Sequence, residues 1–422
     1  MKQEPLFDEN LVRNSTIAPE HTTHSGGKGE PFHDWYPYLE GFSSEFVRHM
    51  LDKYIPNARR IIDPFAGTGT TPISLSAFGV DCGYSEINPA MRLVISTKIS
   101  LGKLNEVERR KLKLEIVALS ADLPTNIQQA IPDKSLQEDY SRSFGKSEFF
   151  SQDAFAKILL LRTVNDKVIE FNPILGAILC VCVMSKIVIC SQLKRAGDVR
   201  YKTEKELKKG LPDIVTEVCK QLLLIAKDCD LAFQLTGKQE LLSANAKELE
   251  GMAEYQADGV ITSPPYLNGT NYFRNTKLEL WYSRFLAEKN SLRNFRNQAI
   301  TSGINDVSNT KGKIFVNEKV GTVVRNLESN AYDMRIPRMV AGYFEDMKAV
   351  LSGLTTCCKP GAKMCIDIGD SRYGGVHIPT HELLADLGKD LGLEHVDTVR
   401  LRTRISKDQT KLSQSLIILR KS

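Results

Sequence analysis

Arg60-Ile61-Ile62-Asp63-Pro64-Phe65-Ala66-Gly67-Thr68-Gly69-Thr70-Thr71 decides the fold. A short apolar strand ends in an acid, turns through two glycines and runs into a helix that begins near Pro72. Proline is tolerated in a first helical turn because its missing N–H has no partner there anyway. Val80 to Tyr84 reads as a second strand, Ser85-Glu86-Ile87-Asn88-Pro89 as its turn, and Ala90 to Ile99 as a second helix. Strand–turn–helix repeated in this way is the start of a doubly wound α/β sheet.

The rhythm stops after about residue 100. Leu104–Leu119, Ala154–Val164, Ile174–Leu193 and Glu204–Ala232 have helical character, with no alternating strands. It resumes with a strand and turn over 240–246, a strand Gly259–Thr262, a helix Tyr343–Leu354 ending near Lys359-Pro360-Gly361, and a strand Ala362–Ile368. A helix His381–Leu391 and strands Val396–Arg402 and Ser415–Leu419 complete the chain. The expected organisation is an arm and first sheet part over 1–100 and a mostly helical insertion over 101–240. The catalytic part of the sheet follows over 241–282, a basic irregular segment over 283–340, and the end of the sheet over 341–422. The first 30 residues are polar and read as a flexible arm.

The chain has 422 residues, 42% of them apolar and 25% charged, enough for a packed core. No apolar run reaches the 18 or so uncharged residues of a membrane span. The N-terminus lacks the apolar core of a signal peptide, so a cytoplasmic protein is expected. Nine cysteines form no CxxC pair and lie at no zinc spacing, so reduced buried thiols and no metal are expected. The net charge of +5 is too small to argue for nucleic acid by itself.

The Asp63–Gly69 turn lies at the carboxyl end of a strand, where open α/β sheets bind ligands. Gly67 and Gly69 let backbone approach a ligand closely. Asp63 can accept from an ammonium, and Glu86, 17 residues after Gly69, can grip both hydroxyls of a ribose. GxGxxG is absent, which disfavours a nicotinamide enzyme, and GxxxxGK[ST] is absent, which disfavours an NTPase. A nucleoside with a charged amino-acid tail fits better.

Thr262-Ser263-Pro264-Pro265-Tyr266 follows an apolar strand. Two prolines cannot continue the ladder, so the chain leaves the sheet rigidly. The Ser263 hydroxyl and the Pro264 carbonyl can then converge as acceptors on one amino group, and Tyr266 offers a flat face to a base.

The two motifs together resemble the S-adenosylmethionine-dependent DNA amino-methyltransferases. The Ser-Pro-Pro-Tyr form, and the run on to Arg274, is similar to the N(4)-cytosine branch. Asp34-Trp35-Tyr36-Pro37-Tyr38 looks like the family's motif upstream of the glycine turn. The likeness covers 30–100 and 240–282, and 341–422 more loosely. It implies a Rossmann-like, mostly parallel sheet with an antiparallel C-terminal strand. By residue it implies that Trp35, Tyr38, Asp63, Phe65, Ala66, Gly67, Thr68, Gly69, Glu86, Asn88 and Asn245 bind S-adenosyl-L-methionine. Ser263, Pro264, Pro265 and Tyr266 would be catalytic. The implied reaction is methylation of cytosine N4 in double-stranded DNA, in a restriction–modification or related system, with a cognate restriction endonuclease as a partner. Such an enzyme works in the cytoplasm, at the nucleoid of a prokaryote or in a phage-infected cell. About 197 residues separate Gly67 from Pro264, more than a compact member needs, and the excess is the insertion.

An amino group inside a duplex is reached only by flipping the base out. Residues 283–340 carry 10 Lys+Arg against 5 Asp+Glu. Arg284, Arg293, Arg296, Arg335 and Arg338, with Arg274 just before, are the expected DNA contacts, since Arg reads base edges and phosphates. The insertion, basic around 202–209, competes for sequence readout. Adenine N6 or an RNA guanine amino group stays open as the acceptor, as does a degenerate, non-catalytic nucleic-acid binder. Intact Gly67, Gly69, Glu86 and Ser-Pro-Pro-Tyr argue against the last. The target sequence and the choice between monomer and dimer are not encoded legibly.

Overall fold

The computed structural model describes residues 13–14, 16–38, 41–231, 234–267, 271–307, 316–405 and 409–422. Its main sheet has seven principal strands: β1 Arg60–Asp63, β2 Asp81–Ser85, β3 Gln239–Ser243, β4 Ala257–Thr262, β5 Cys358–Gly369, β6 Leu393–Ile405 and β7 Lys411–Lys421. They lie in the order β6-β7-β5-β4-β1-β2-β3. Arg13–Asn14 adds a short parallel pairing outside β6. β7 is antiparallel to both β5 and β6, while the β5–β4–β1–β2–β3 pairs are parallel. The expected mostly parallel sheet with an antiparallel C-terminal strand is what forms.

β1 is central, and its Ile61 and Ile62 are buried on opposite faces. That explains a continuous apolar run rather than an alternating one. Helix α1 (Ser44–Tyr54) is capped by the Ser43 hydroxyl, which accepts from Phe46 N at 3.3 Å. Gly69 starts α2 (Thr70–Ala77) at φ 90°, and Asn88 caps α3 (Pro89–Gly102) by accepting from Ala90 N at 3.0 Å.

The insertion contains α4 Glu106–Gln128, α5 Lys134–Phe144, α6 Gln152–Phe171, α7 Pro173–Ile187, the short α8 Glu204–Leu207 and α9 Ile214–Asp228. α7 is apolar nearly all round because it runs through the middle, against α3, α6 and α9. The expected continuous helices break at two places. Leu193–Ala196 and Asp198–Tyr201 form a hairpin, and Leu211-Pro212 parts α8 from α9, since proline cannot sit inside a helix without losing a bond. One apolar core runs from Phe32, Trp35 and Met91 through α4–α9 to Trp281, so the insertion shares its core with the sheet's helical layer.

After β4 come α10 Tyr272–Asn275, α11 Lys277–Tyr282, α12 Lys289–Gln298, α13 Glu318–Asn330, α14 Arg335–Cys357 and α15 Thr380–Asp390. The segment 283–340, expected to be irregular, is therefore substantially helical. Its polar sequence hides amphipathic helices such as α13, whose Val320, Val323, Val324 and Leu327 are buried. α14 crosses the expected boundary at 340, and Lys359-Pro360-Gly361 belongs to β5 rather than to a helix end. Residues 16–30, expected to be part of a flexible arm, fold into ordered turns. The His21 ring bonds the Ser43 hydroxyl at 3.0 Å and the His24 and His33 rings stack at 4.1 Å. Residues 1–12 and 15 of the expected arm, with Asn268-Gly269-Thr270 of the run after Tyr266, lie outside the described residues. Among the described residues no helix is long and apolar enough to cross a membrane. All nine cysteines are free, eight of them buried.

Candidate active site

β1 and β4 are neighbours, and the strand order reverses direction there, so a crevice opens beyond their carboxyl ends. The two sequence motifs emerge side by side at this point. Thr262, the last residue of β4, donates its hydroxyl proton to Asp63 Oδ1 at 2.7 Å, and Phe65 N–H donates to the same oxygen at 3.0 Å. Asp63 is only 1% exposed, and burial holds its carboxyl above the usual range. It lies behind the cavity wall and ties the motifs together, which corrects its expected place as an ammonium acceptor in the site.

A cavity of about 290 Å³ fills the crevice. Tyr38, Phe65, Glu86, Asn88, Asn245 and Ser263–Tyr266 line it together. Gly67 sits at φ 55°, and a Cβ there would fall 2.9 Å from Tyr38 Cε1. The bare backbone is thus what lets Tyr38 close over the turn. Glu86 accepts from Gly67 N–H through Oε2 and from Asn88 N–H through Oε1, both at 2.8 Å. Burial pushes its carboxyl up to about 7, against the pull of those two N–H groups. Asn88 Nδ2 donates to Thr276 Oγ1 at 2.8 Å, linking the acidic turn to the helices after Ser263-Pro264-Pro265-Tyr266. Asn245 uses its oxygen to accept from Lys247 N at 3.1 Å.

Ala66, Thr68 and Gly69 support the turn from behind rather than lining the cavity. A Cβ on Gly69 would meet Ile95 Cγ1 at 2.9 Å, and the Thr68 carbonyl accepts from the buried Lys98 Nζ at 2.8 Å. Trp35 is fully buried, its indole N–H donating to Asp228 Oδ2 at 2.7 Å. It pins the upstream motif to α9, so its expected place at the cofactor is corrected. The neighbouring Tyr36 does line the cavity.

Sequence reasoning missed several lining groups. Asp367 on β5, Gln414 on β7 and Arg402 and Arg404 on β6 form a polar wall beside Tyr266. Gln414 Nε2 donates to both Asp367 oxygens at 2.9 Å, and Arg402 Nε donates to Gln414 Oε1 at 2.6 Å. Burial raises Asp367 to about 6. The phenol of Tyr266 interacts with Asp367 and Ser263, and burial pushes it well up. The alternation Arg400-Leu401-Arg402-Thr403-Arg404 was a legible sign of an arginine-bearing strand face. Arg195, from the insertion hairpin, also lines the cavity and had no sequence signal. It pairs with the fully buried Glu279 and donates to the Tyr36 hydroxyl at 2.7 Å, while that hydroxyl donates to Glu279 Oε1 at 2.8 Å.

The expected DNA contacts divide. Arg284 is ion-paired with Asp133 and, at 3.0 Å, with Asp166, bridging the segment to the insertion. Arg335 is held by Asp333 at 2.7 Å and Arg274 by Asp198 at 3.3 Å. Arg284 is thereby corrected from a DNA contact to a tie between elements. Arg293 is exposed on α12, while Arg296 and Arg338 are half-buried. α12 itself reaches the site, since Gln298, Ala299 and Ile300 line the cavity.

No protein-family model matches the chain. It is 24% identical over 465 residues to the Type II methyltransferase M.BsoBI of Geobacillus stearothermophilus, spanning 100% of this chain and 90% of that one. It is 21% identical over 423 residues to the Type II methyltransferase M.AvaI of a Nostoc strain and of Anabaena variabilis, spanning 92% of this chain and 84% of theirs. Among solved structures, the rRNA methyltransferase aviRa from Streptomyces viridochromogenes aligns with 89% of this chain and 83% of its own. The TM-score is 0.31 and the identity 7%, too remote to bear on this site.

Proposed function

We infer that this chain, a member of the S-adenosylmethionine-dependent DNA amino-methyltransferases, methylates the exocyclic N4 amino group of cytosine in double-stranded DNA within a restriction–modification system. The observation that carries this reading is that Ser263-Pro264-Pro265-Tyr266 and Glu86 open onto one cavity at the point where the sheet order reverses. The likeness to two Type II methyltransferases along nearly the whole chain supports the reaction class.

The residues present fit the cofactor. The bare Gly67 lets Tyr38 close over the turn, and Glu86 sets a buried carboxylate in the cavity wall where a diol can donate to it. Tyr38 and Phe65 supply apolar cover, and Asn88 and Asn245 polar edges. When bound, S-adenosylmethionine supplies an electrophilic methyl group on a sulfonium.

The chain's own part is positioning. The cytosine amino nitrogen is conjugated with its ring and is a poor nucleophile. The Ser263 hydroxyl and the Pro264 carbonyl accept its hydrogens and draw its lone pair out of conjugation toward the methyl group. No covalent enzyme intermediate is needed, which accords with cysteines that are buried and pushed up by burial, such as Cys82 and Cys365. Holding both reactants in line supplies much of the acceleration. Flipping the base costs a few kcal/mol, offset by stacking on Tyr266 and by phosphate contacts.

The test is incubation with labelled cofactor and DNA, followed by nucleoside analysis. N4-methyl-2′-deoxycytidine is expected. N6-methyl-2′-deoxyadenosine would move the substrate to adenine, and no labelled base would remove the enzymatic reading. Ser263→Ala and Tyr266→Ala should each cut transfer roughly 100-fold, the scale of losing one oriented hydrogen-bonding group, with cofactor affinity unchanged. Wild-type turnover in both would take these residues out of the mechanism.

A further inference from the structure

The wall built by the ends of β5, β6 and β7 has features the methyl-transfer step does not use. Arg404 lies with its Cζ 5.2 Å from the Tyr266 ring centroid. One nitrogen, Nη2, donates to the Asp370 carbonyl at 2.7 Å. The Nε–H is shut off from solvent and finds no acceptor among the described residues. A buried donor without an acceptor costs about 1–3 kcal/mol, so the guanidinium, which lines the cavity, gains by turning toward an acceptor placed there. Gly369 makes the placement possible. A Cβ there would fall 3.0 Å from Tyr266 Cδ2 and would overlap the Arg404 guanidinium. Arg402, alongside, is fixed through Gln414 to Asp367, so the wall is a hydrogen-bonded frame rather than a loose surface.

Arginine offers donors only. A flipped cytosine whose amino group is held at Ser263 and Pro264 presents two neighbouring acceptors, N3 and O2, along the same edge. Adenine held the same way presents one acceptor, N1, followed by a C–H. A donor-only group beside the amino clamp therefore separates the two bases by chemistry. Sites built to hydrogen-bond a substrate reject analogues that leave the buried partner unpaired far more strongly than apolar pockets do.

We propose that Arg404 is a specificity-determining residue that donates to the N3/O2 edge of the flipped cytosine, held in place by the Tyr266 ring and by the space at Gly369. This rests on the cytosine reading above and deepens it by naming the group that excludes adenine.

The experiment uses the full-length protein and its target sequence, mapped by sequencing DNA that it has methylated. Three duplexes carry cytosine, 3-deazacytosine (a C–H in place of N3) or adenine at the target position. Transfer of labelled methyl is measured for wild type, Arg404→Leu, Arg404→Lys and Gly369→Ala, with cofactor affinity measured in parallel. Wild type should prefer cytosine to 3-deazacytosine by about 100-fold or more, the scale of an unpaired buried group. In Arg404→Leu that preference should shrink to about threefold, with cofactor affinity within about twofold of wild type. Arg404→Lys and Gly369→Ala, which keep a cation but displace it, should fall between. They decide the matter if the Leu variant does not fold. Undiminished discrimination in the variants overturns the proposal while leaving the cytosine reading intact. A wild type that methylates only adenine, or nothing, overturns the cytosine reading itself.

Discussion

Thr262 and Asp63 stand 199 positions apart and share a 2.7 Å hydrogen bond between the ends of β4 and β1. That bond sets the distance between the Gly67 turn and Ser263-Pro264-Pro265-Tyr266. Asp63→Ala leaves the buried Thr262 hydroxyl and the Phe65 N–H without their acceptor. It should lower stability by about 2 kcal/mol, in the range of a lost buried hydrogen bond, read as an earlier urea midpoint. Turnover should fall more than the stability loss explains, because the two motifs lose their register. Thr262→Ser, which keeps both the hydroxyl and Asp63, should leave stability and turnover near wild type.

Glu86 sets a pH dependence. Its folded carboxyl sits at about 7, above the usual value of 4.5, because it is buried. A ribose diol donates to the carboxylate form, so the bound state favours deprotonation. Cofactor affinity should be constant well above pH 7 and fall as pH drops through about 7, by up to tenfold per unit. Free of ligand, the fold keeps the proton that the unfolded chain has lost. Glu86 therefore contributes stability below 4.5 that is lost as pH rises through about 7. Glu86→Gln should bind more weakly and without this pH dependence. Calorimetric titration from pH 5.5 to 8.5 checks both signs.

Trp35 and Tyr38, close in sequence, should behave differently. Trp35→Phe removes the donor to Asp228, whose carboxyl is already raised by burial, and should cost about 1–3 kcal/mol of stability. Cofactor affinity should be unchanged. Tyr38→Ala uncovers the Gly67 turn and should weaken cofactor binding with little effect on the melting temperature. Parallel thermal melts and binding isotherms would separate them.

Arg284 and Arg293 make the same contrast for DNA. Arg284 is committed to Asp133 and Asp166, so Arg284→Ala should loosen the insertion and leave the salt dependence of DNA binding alone. Arg293 is exposed on the helix that ends at the cavity, and Arg293→Ala should reduce the salt slope by about one counterion. Affinities from about 50 to 200 mM salt decide it.

The sheet was readable because its central strands are short, apolar and punctuated by chemistry. Asp63, the glycines and the paired prolines each forbid continuation in a specific way. The Gly67 turn and Glu86 were legible as residues for the same reason, since a tight turn at positive φ demands glycine and the acid directly after β2 stands out where that strand ends. What escaped was assembled across the chain. Asp367, Gln414, Arg402 and Arg404 come from three strands and meet only because β7 runs antiparallel and sets Gln414 opposite Gly369. Trp35 was misplaced because an aromatic beside a binding motif is read the same way whether it faces the ligand or the core. Arg284 was misassigned because charge counting cannot see the partners waiting on the insertion.

Arg195 and Glu279 give the insertion a meaning beyond size. The hairpin that carries Arg195 is laced to α10 as well, with Val199 N–H donating to Asn275 Oδ1 at 2.7 Å and Asn275 Nδ2 to the Gly197 carbonyl at 2.8 Å. Excising or grafting the insertion would strand Glu279 as a buried charge with no counterion, a loss of about 3–5 kcal/mol. The unit that could be moved without stranding Glu279 is therefore not the insertion by itself but the insertion together with residues 271–279.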